Sequence, residues 1–337
     1  TSAMNIILQK ITDKQKRLES FRPLPVELVK NLDEWFKIEL TYTSNAIEGN
    51  TLTRQETALV VEKGLTVSGK SITEHLEAVN HAQALEFIKS LVGKKRENIT
   101  EKDLLDIHHI ILSKIDDTNA GRYRNVPVRI AGSTVIMPNP LKVSALMSEF
   151  TTWLHSKNDD HPIKVATDAH FKFVTIHPFT DGNGRTARLL MNLLLMQEGY
   201  TPALIKKEDR LKYINAIEKG QLSGGMDDYY HVIYESIDTS LTIYLKALEQ
   251  KKVSGREKTF PEAQKLLKIG ELAKITNESV PTIRYWTQEG LLEVAEHTNG
   301  GYQLYDETMV KRAKKIRHLQ KEKRLTIREL KGVFRLQ

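Results

Sequence analysis

Twelve residues between two apolar, helix-patterned stretches constrain this chain more than any others: His177-Pro178-Phe179-Thr180-Asp181-Gly182-Asn183-Gly184-Arg185-Thr186-Ala187-Arg188. Residues 163–176 have helical spacing, and 186–198 carry Leu189, Leu190, Leu193, Leu194 and Met196 over a broad surface, so a polar turn must be held between two core helices. Gly182 and Gly184 can take positive φ, which lets the N–H groups around Asn183 curl into a concave anion site. The helix that follows presents unpaired N–H groups and the positive end of its dipole, which favour phosphate oxygens. Arg185 and Arg188, three apart, lean over one face of that first turn and suit terminal phosphates. Asp181 is one hard oxygen ligand, enough for Mg²⁺ when a nucleotide and water supply the rest. His177 suits removal of a proton from a hydroxyl near neutral pH; its expected place at a helix C-terminus favours imidazolium and so strengthens the base. A polar loop with solvated arginines is the plain alternative, and the order of base, carboxylate, glycine turn and double arginine argues against it.

The same residues resemble the Fic family signature, H-P-F-x-D/E-G-N-G-R-x-x-R, with every specified position filled. The resemblance implies a mostly helical domain that transfers AMP from ATP to a Ser, Thr or Tyr hydroxyl of a protein, itself included. It implies His177 as the catalytic base and Asp181 as the Mg²⁺ carboxylate. It also implies Gly182, Asn183, Gly184, Arg185, Thr186, Ala187 and Arg188 around the phosphates. Relatives that transfer the γ-phosphoryl group carry Lys at the position of Arg185, and others transfer phosphocholine or UMP; the intact arginine pair favours AMP transfer. By the same resemblance Tyr213 and Gln221 stand beside the adenine, with Tyr213 equally readable as core.

Read alone, residues 44–48 are one helical turn stopped by Gly49, and Thr53-Arg54-Gln55-Glu56 is a capping box. The segment also resembles the inhibitory motif S/T-x-x-x-E-G/N that one Fic subclass carries ahead of its core, which puts Ser44, Glu48 and Gly49 in a brake. A Glu48 carboxylate on Arg188 would occupy the guanidinium that otherwise holds the γ-phosphate, a contact of about 1.5 to 3 kcal/mol. With Glu48 positioning water, the same site could also remove AMP. From Val126 to Pro138 the residues alternate about Gly132-Ser133, which predicts a short β-hairpin. In Fic proteins the matching hairpin, here Ile130, Ala131, Gly132 and Ser133, is a flap that holds the target by strand addition.

The rest of 1–250 reads as helices: the first forty residues on either side of Pro23 and Pro25, then 71–92, 100–112 with Thr100 and Asp103 as a capping box, 141–154, 207–220 and 229–250. His108 and His109 point to different helix faces and read as structural. No cysteine occurs in 337 residues, which excludes disulfides and thiolate metal sites and fits a reducing cytoplasm. No apolar run approaches the roughly 20 residues of a membrane span and no secretion signal opens the chain, so a cytoplasmic protein without a membrane partner is expected. Thr1-Ser2-Ala3 ahead of Met4 reads as a cloning remnant.

Residues 251–261 read as a polar linker. Beyond it the net charge of +7 concentrates: 261–337 hold 15 lysines and arginines against 10 acids, which suits a polyanionic partner. Helices over 269–276 and 280–289, a hairpin about Asn299-Gly300 and a basic helix over 306–324 are expected there. This part resembles the winged helix-turn-helix of MerR-type regulators, which implies DNA contact through Thr282, Arg284 and Tyr285; a protein-docking helical domain is the alternative. Gln303 stands where that family usually has Arg, and the chain ends short of its long dimerising coiled coil. Two-fold operator reading would therefore need a homodimer through the Fic part. The expected organisation is a Fic domain with its inhibitory segment over 1–250, a linker over 251–261 and a winged helix-turn-helix over 262–337. The rival reading is a nucleotide-sensing, DNA-binding transcription regulator.

Overall fold

Capping side chains set the starts of several helices in the computed structural model, which describes residues 2–253, 266–297 and 303–335. Helices α1 (Ser2–Glu19) and α2 (Val26–Ile47) flank the Pro23/Pro25 break. Thr53, Ser71 and Thr100 cap α3 (Arg54–Lys63), α4 (Ile72–Leu91) and α5 (Glu101–Leu112), each in a reciprocal box with Glu56, Glu74 or Asp103. A cap of this kind contributes about 1 kcal/mol. Then follow α6 (Val143–His155), α7 (Pro162–Ile176), α8 (Asn183–Gln197), α9 (Arg210–Ser223) and α10 (Asp227–Val253). The helix expected from 207 starts instead at Arg210, after a turn of 3-10 helix over Lys207–Asp209.

α8 is the central post. Every residue from Leu189 to Leu195 is buried, Asn192 being the one polar member, and a helix buried on all its faces is one enclosed by others. It packs against α7, α5, α4 and α2, and Phe173, Phe179, Leu104, Ile107 and Ile111 join the same core. Its N-terminal turn therefore sits at a fixed depth, with helices on several sides to bring distant side chains to it.

The flap differs from the expected hairpin. Residues 126–138 turn at Ala131-Gly132, with Ser133 N–H donating to the Ile130 carbonyl at 3.1 Å, but the arms carry no strand pairing. Pro127 and Pro138 remove N–H donors from arms that are already short, and an isolated two-stranded ribbon is marginal. Glu218 of α9 takes over instead, accepting from Ser133 Oγ at 2.7 Å and Thr134 N at 3.2 Å.

The chain divides into two compact units, Thr1–Val253 and Ser254–Gln337. In the second, β1 (Leu267–Lys268), α11 (Ile269–Thr276), α12 (Val280–Gln288), β2 (Glu296–His297), β3 (Gln303–Tyr305), α13 (Thr308–Glu322) and α14 (Ile327–Arg335) enclose Leu272, Ile283, Trp286, Leu291, Tyr305 and Ile316. The strands form an antiparallel sheet in the order β1-β3-β2, with Leu267 opposite Tyr305 and Glu296 opposite Leu304. The expected turn at Asn299-Gly300 lies outside the described residues, as does 254–261 of the expected linker; 251–253 belong to α10. Sequence reading did not anticipate α14.

Candidate active site

α7 ends on His177, whose φ of 51° and ψ of 61° place a non-glycine residue in the left-handed region while its N–H donates to the Phe173 carbonyl at 3.0 Å. Such a conformation costs about 1 kcal/mol or more and persists where surrounding contacts impose it. The expected strengthening of the base by the helix end is corrected here. Burial pushes the imidazole below its ordinary value; the Val174 carbonyl opposes this, the Arg124 charge adds to it, and Glu48 and Asp181 oppose it. Desolvation outweighs the helix end because most of the ring is out of water. The result is a ring kept neutral at pH 7, the form that accepts a proton.

The loop after His177 is held by its own side chains. Asn183 clamps the Phe179 peptide from both sides, accepting from its N–H at 2.9 Å and donating to its carbonyl at 2.8 Å. Phe179 is fully buried and stacks on His108 with centroids 3.5 Å apart. Gly182 turns the chain at φ 78° and α8 starts at Asn183, earlier than expected, so Gly184 is helical rather than left-handed. A Cβ at 184 would crowd the ends of the Glu48 and Arg188 side chains, so one of them would have to shift.

Arg188 is buried, and its guanidinium meets the C-terminal end of α2. Nε donates to Ser44 Oγ at 3.0 Å, and Nη2 donates to the Ser44 carbonyl at 3.0 Å and to Glu48 Oε1 at 2.6 Å. Burial disfavours its charge, but Glu48 and Tyr213 outweigh this and hold Arg188 above its ordinary pKa. Glu48, 36% exposed, closes the end of α2, and Gly49 follows at φ 98°. Arg185, 3% exposed, turns to Glu77 Oε1 at 3.4 Å and Asp181 Oδ2 at 3.3 Å. Ala187 is fully buried. Arg185 Nε, Thr186 Oγ1 and Thr180 Oγ1 are buried without a protein hydrogen-bond partner, and a cluster of orphaned polar atoms around one helix start fits a polar ligand such as a nucleotide.

Among the described residues no three His, Asp or Glu side chains gather to hold a metal. The 69% exposed Asp181 carboxylate accepts from Gly182 N at 2.6 Å and Arg185 Nη2. One open carboxylate fits a Mg²⁺ whose other ligands are phosphate oxygens and water.

Of the two readings left open for Tyr213, its burial fits the core. It is 2% exposed, and its hydroxyl accepts from Arg188 Nη1 at 3.5 Å and bonds His170 Nε2 at 2.7 Å. Gln221 is partly exposed on α9 and donates to Thr175 Oγ1 at 3.2 Å. Sequence reasoning missed Glu77, Arg124 and His170. It read His108 correctly as structural: Gly121 N–H donates to Nδ1 at 2.9 Å, so Nε2–H donates to the Asp181 carbonyl at 2.8 Å. In the second unit, Ser279 caps α12, Ile283 and Trp286 face inward, Arg284 and Tyr285 are exposed and Thr282 is partly exposed.

A family model described as the Fic/DOC family matches residues 98–195, and one described as MerR HTH family regulatory protein matches 267–337. A Culex quinquefasciatus protein named Protein adenylyltransferase Fic is 37% identical over 244 residues, 72% of this chain and 48% of that protein. The chain thus spans about half the length of the curated relatives it matches. Among solved structures, a fragment of Fic-1 from C. elegans matches with 30% identity and a TM-score of 0.68, covering 74% of each chain. A Fic domain containing signaling protein from Bacteroides thetaiotaomicron matches with 29% identity and a TM-score of 0.65, over 72% of this chain and 98% of that one. Fold and site define a helical domain with two buried arginines at a helix start, one of them paired with the chain's own Glu48. The chain belongs to the Fic family.

Proposed function

We propose that the first unit is a protein adenylyltransferase that moves AMP from ATP to a Ser, Thr or Tyr hydroxyl of a protein and is restrained by Glu48. The observation that carries this reading is the Arg188 guanidinium, buried at the start of α8 and satisfied by a carboxylate from a residue 140 positions away. The neutral His177 ring takes the hydroxyl proton as the oxygen attacks the α-phosphorus. That P–O bond forms, the bond to pyrophosphate breaks, and Arg185 and Arg188 orient the β and γ phosphates. Mg²⁺, held by Asp181 and the phosphates, would supply charge neutralisation on the triphosphate. While Glu48 holds Arg188, the γ-phosphate cannot. Allowing for solvent around Glu48, that contact is about 1 to 2 kcal/mol, or roughly tenfold in turnover.

Incubation with α-labelled ATP and Mg²⁺ tests the reading. Glu48→Gly is expected to raise label on protein about tenfold over the parent, and His177→Ala in that background to abolish it while ATP still binds. No label with Glu48→Gly would dismiss adenylyl transfer; release of label from a modified target by the Glu48 form would identify AMP removal as a further activity. The match of 267–337 to a MerR-type model supports DNA contact through Thr282, Arg284 and Tyr285, with a homodimer through the first unit aligning two half-sites in the cytoplasm. Under the transcription-regulator reading, duplex affinity changes with ATP and no protein is labelled.

A further inference from the structure

Arg124 is 3% exposed, at the foot of the flap. The partners described for its guanidinium are main-chain carbonyls: Nε donates to His177 at 2.7 Å, Nη1 to Val126 at 3.2 Å and Nη2 to Pro138 at 2.6 Å, while its own N–H donates to the Pro178 carbonyl at 2.9 Å. Val126 and Pro138 are the two ends of the flap segment, whose arms no strand ladder joins. His177 is the one residue of the proposed chemistry held at positive φ outside glycine. One rigid fork therefore ties both ends of the flap to the strained backbone of the base. A lysine could not reproduce this with a single point charge.

We propose that Arg124 is a positioning residue for the transfer reaction, registering a target strand laid on the flap against the His177 imidazole. The inference rests on the adenylyl-transfer reading. Without the fork, the flap's ends are free to move relative to the ring, and a misplacement of about 1 Å between reacting groups loses on the order of 10²-fold in rate. ATP binding stays, because the Arg185 and Arg188 contacts lie elsewhere. The groups acting on His177 are Arg124, which lowers its proton affinity, and Glu48, Asp181 and the Val174 carbonyl, which raise it. Removing the Arg124 charge therefore moves the His177 titration to higher pH; Arg124→Lys keeps the charge and leaves the titration near the parent's.

The test uses the full chain in the Glu48→Gly background with Arg124→Lys and Arg124→Met, each checked for a native melt. Four measurements are made: ATP affinity by calorimetry, label transfer, His177 titration by NMR against the His177→Ala spectrum, and amide exchange over 126–138. Both variants are expected to keep ATP affinity within about twofold, lose on the order of 10²-fold in kcat and exchange faster over the flap; only Arg124→Met shifts the titration upward. Parent-like kcat in folded Arg124→Lys overturns the proposal, as does parent-like flap exchange with an unshifted titration in Arg124→Met. If the Glu48→Gly parent itself transfers no label, the adenylyl-transfer reading fails, and exchange and titration still decide whether Arg124 couples flap and ring.

Discussion

At the scale of single residues, the proposed mechanism sets a carboxylate and a phosphate oxygen in competition for one place. Glu48 Oε1 lies against the place a Cβ on residue 184 would take, and 2.6 Å from Arg188 Nη2. In the proposed ATP complex a γ-phosphate oxygen takes that position, so a methyl group at 184 obstructs both occupants. Gly184→Ala is therefore expected to weaken ATP binding about tenfold or more even when Glu48→Gly has removed the carboxylate, measured by calorimetry on the double variant. Unaltered affinity would show that the phosphate sits elsewhere. The pattern from His177 to Arg188 was legible because its chemistry is contiguous. Glu77, Arg124 and His170 were not, because each is one ordinary side chain among many, selected only by what it touches in the fold.

The proposed restraint by Glu48 is also a matter of elements. The end of α2 is fastened to α4 through Asn50, whose Nδ2 donates to Glu77 Oε2 at 2.7 Å and to the Glu74 carbonyl at 3.1 Å. Glu77 in turn accepts from Arg185, so one carboxylate on α4 links Asn50, just past the end of α2, to Arg185. Asn50→Ala is expected to destabilise the first unit by about 1 kcal/mol and raise basal label transfer severalfold, less than Glu48→Gly. Labelling equal to the parent's would remove Asn50 from the restraint. The flap shows the limit of element reading. Alternation about Gly132-Ser133 pointed to a hairpin, but whether two short arms pair depends on what stands beside them, and here Glu218 and Arg124 bind groups that a ladder would use.

Across the whole molecule, three histidines are buried neutral on α4, α5 and α7. Burial holds His81 at about 3, His108 at about 4 and His170 at about 3. In the unfolded chain each binds a proton near pH 6.5. As pH falls below that value the unfolded state takes up protons that the folded state refuses, so stability is complete above about pH 6.5 and declines toward pH 4, by roughly 1 kcal/mol per ring per pH unit. The urea midpoint of the first unit is expected to drop between pH 7 and pH 5; a flat profile would mean these rings are charged when folded. Each unit has its own apolar core, so removal of 254–337 is expected to leave a cooperatively folding first unit that still labels protein, checked by its melt and by α-labelled ATP.

Residue order alone determined the helix starts with capping boxes, the apolar length of α8, the turn at Gly182 and the family signature, because each depends on neighbours within a few positions along the chain. Only tertiary structure decided that Arg185 turns to Glu77 and Asp181, that Tyr213 is core, that burial lowers the proton affinity of His177, and that Gly184 is helical. Those outcomes depend on which side chains share a volume once the helices are packed. Desolvation and a 2.6 Å contact across 140 residues are properties of that packing, with no counterpart in local spacing.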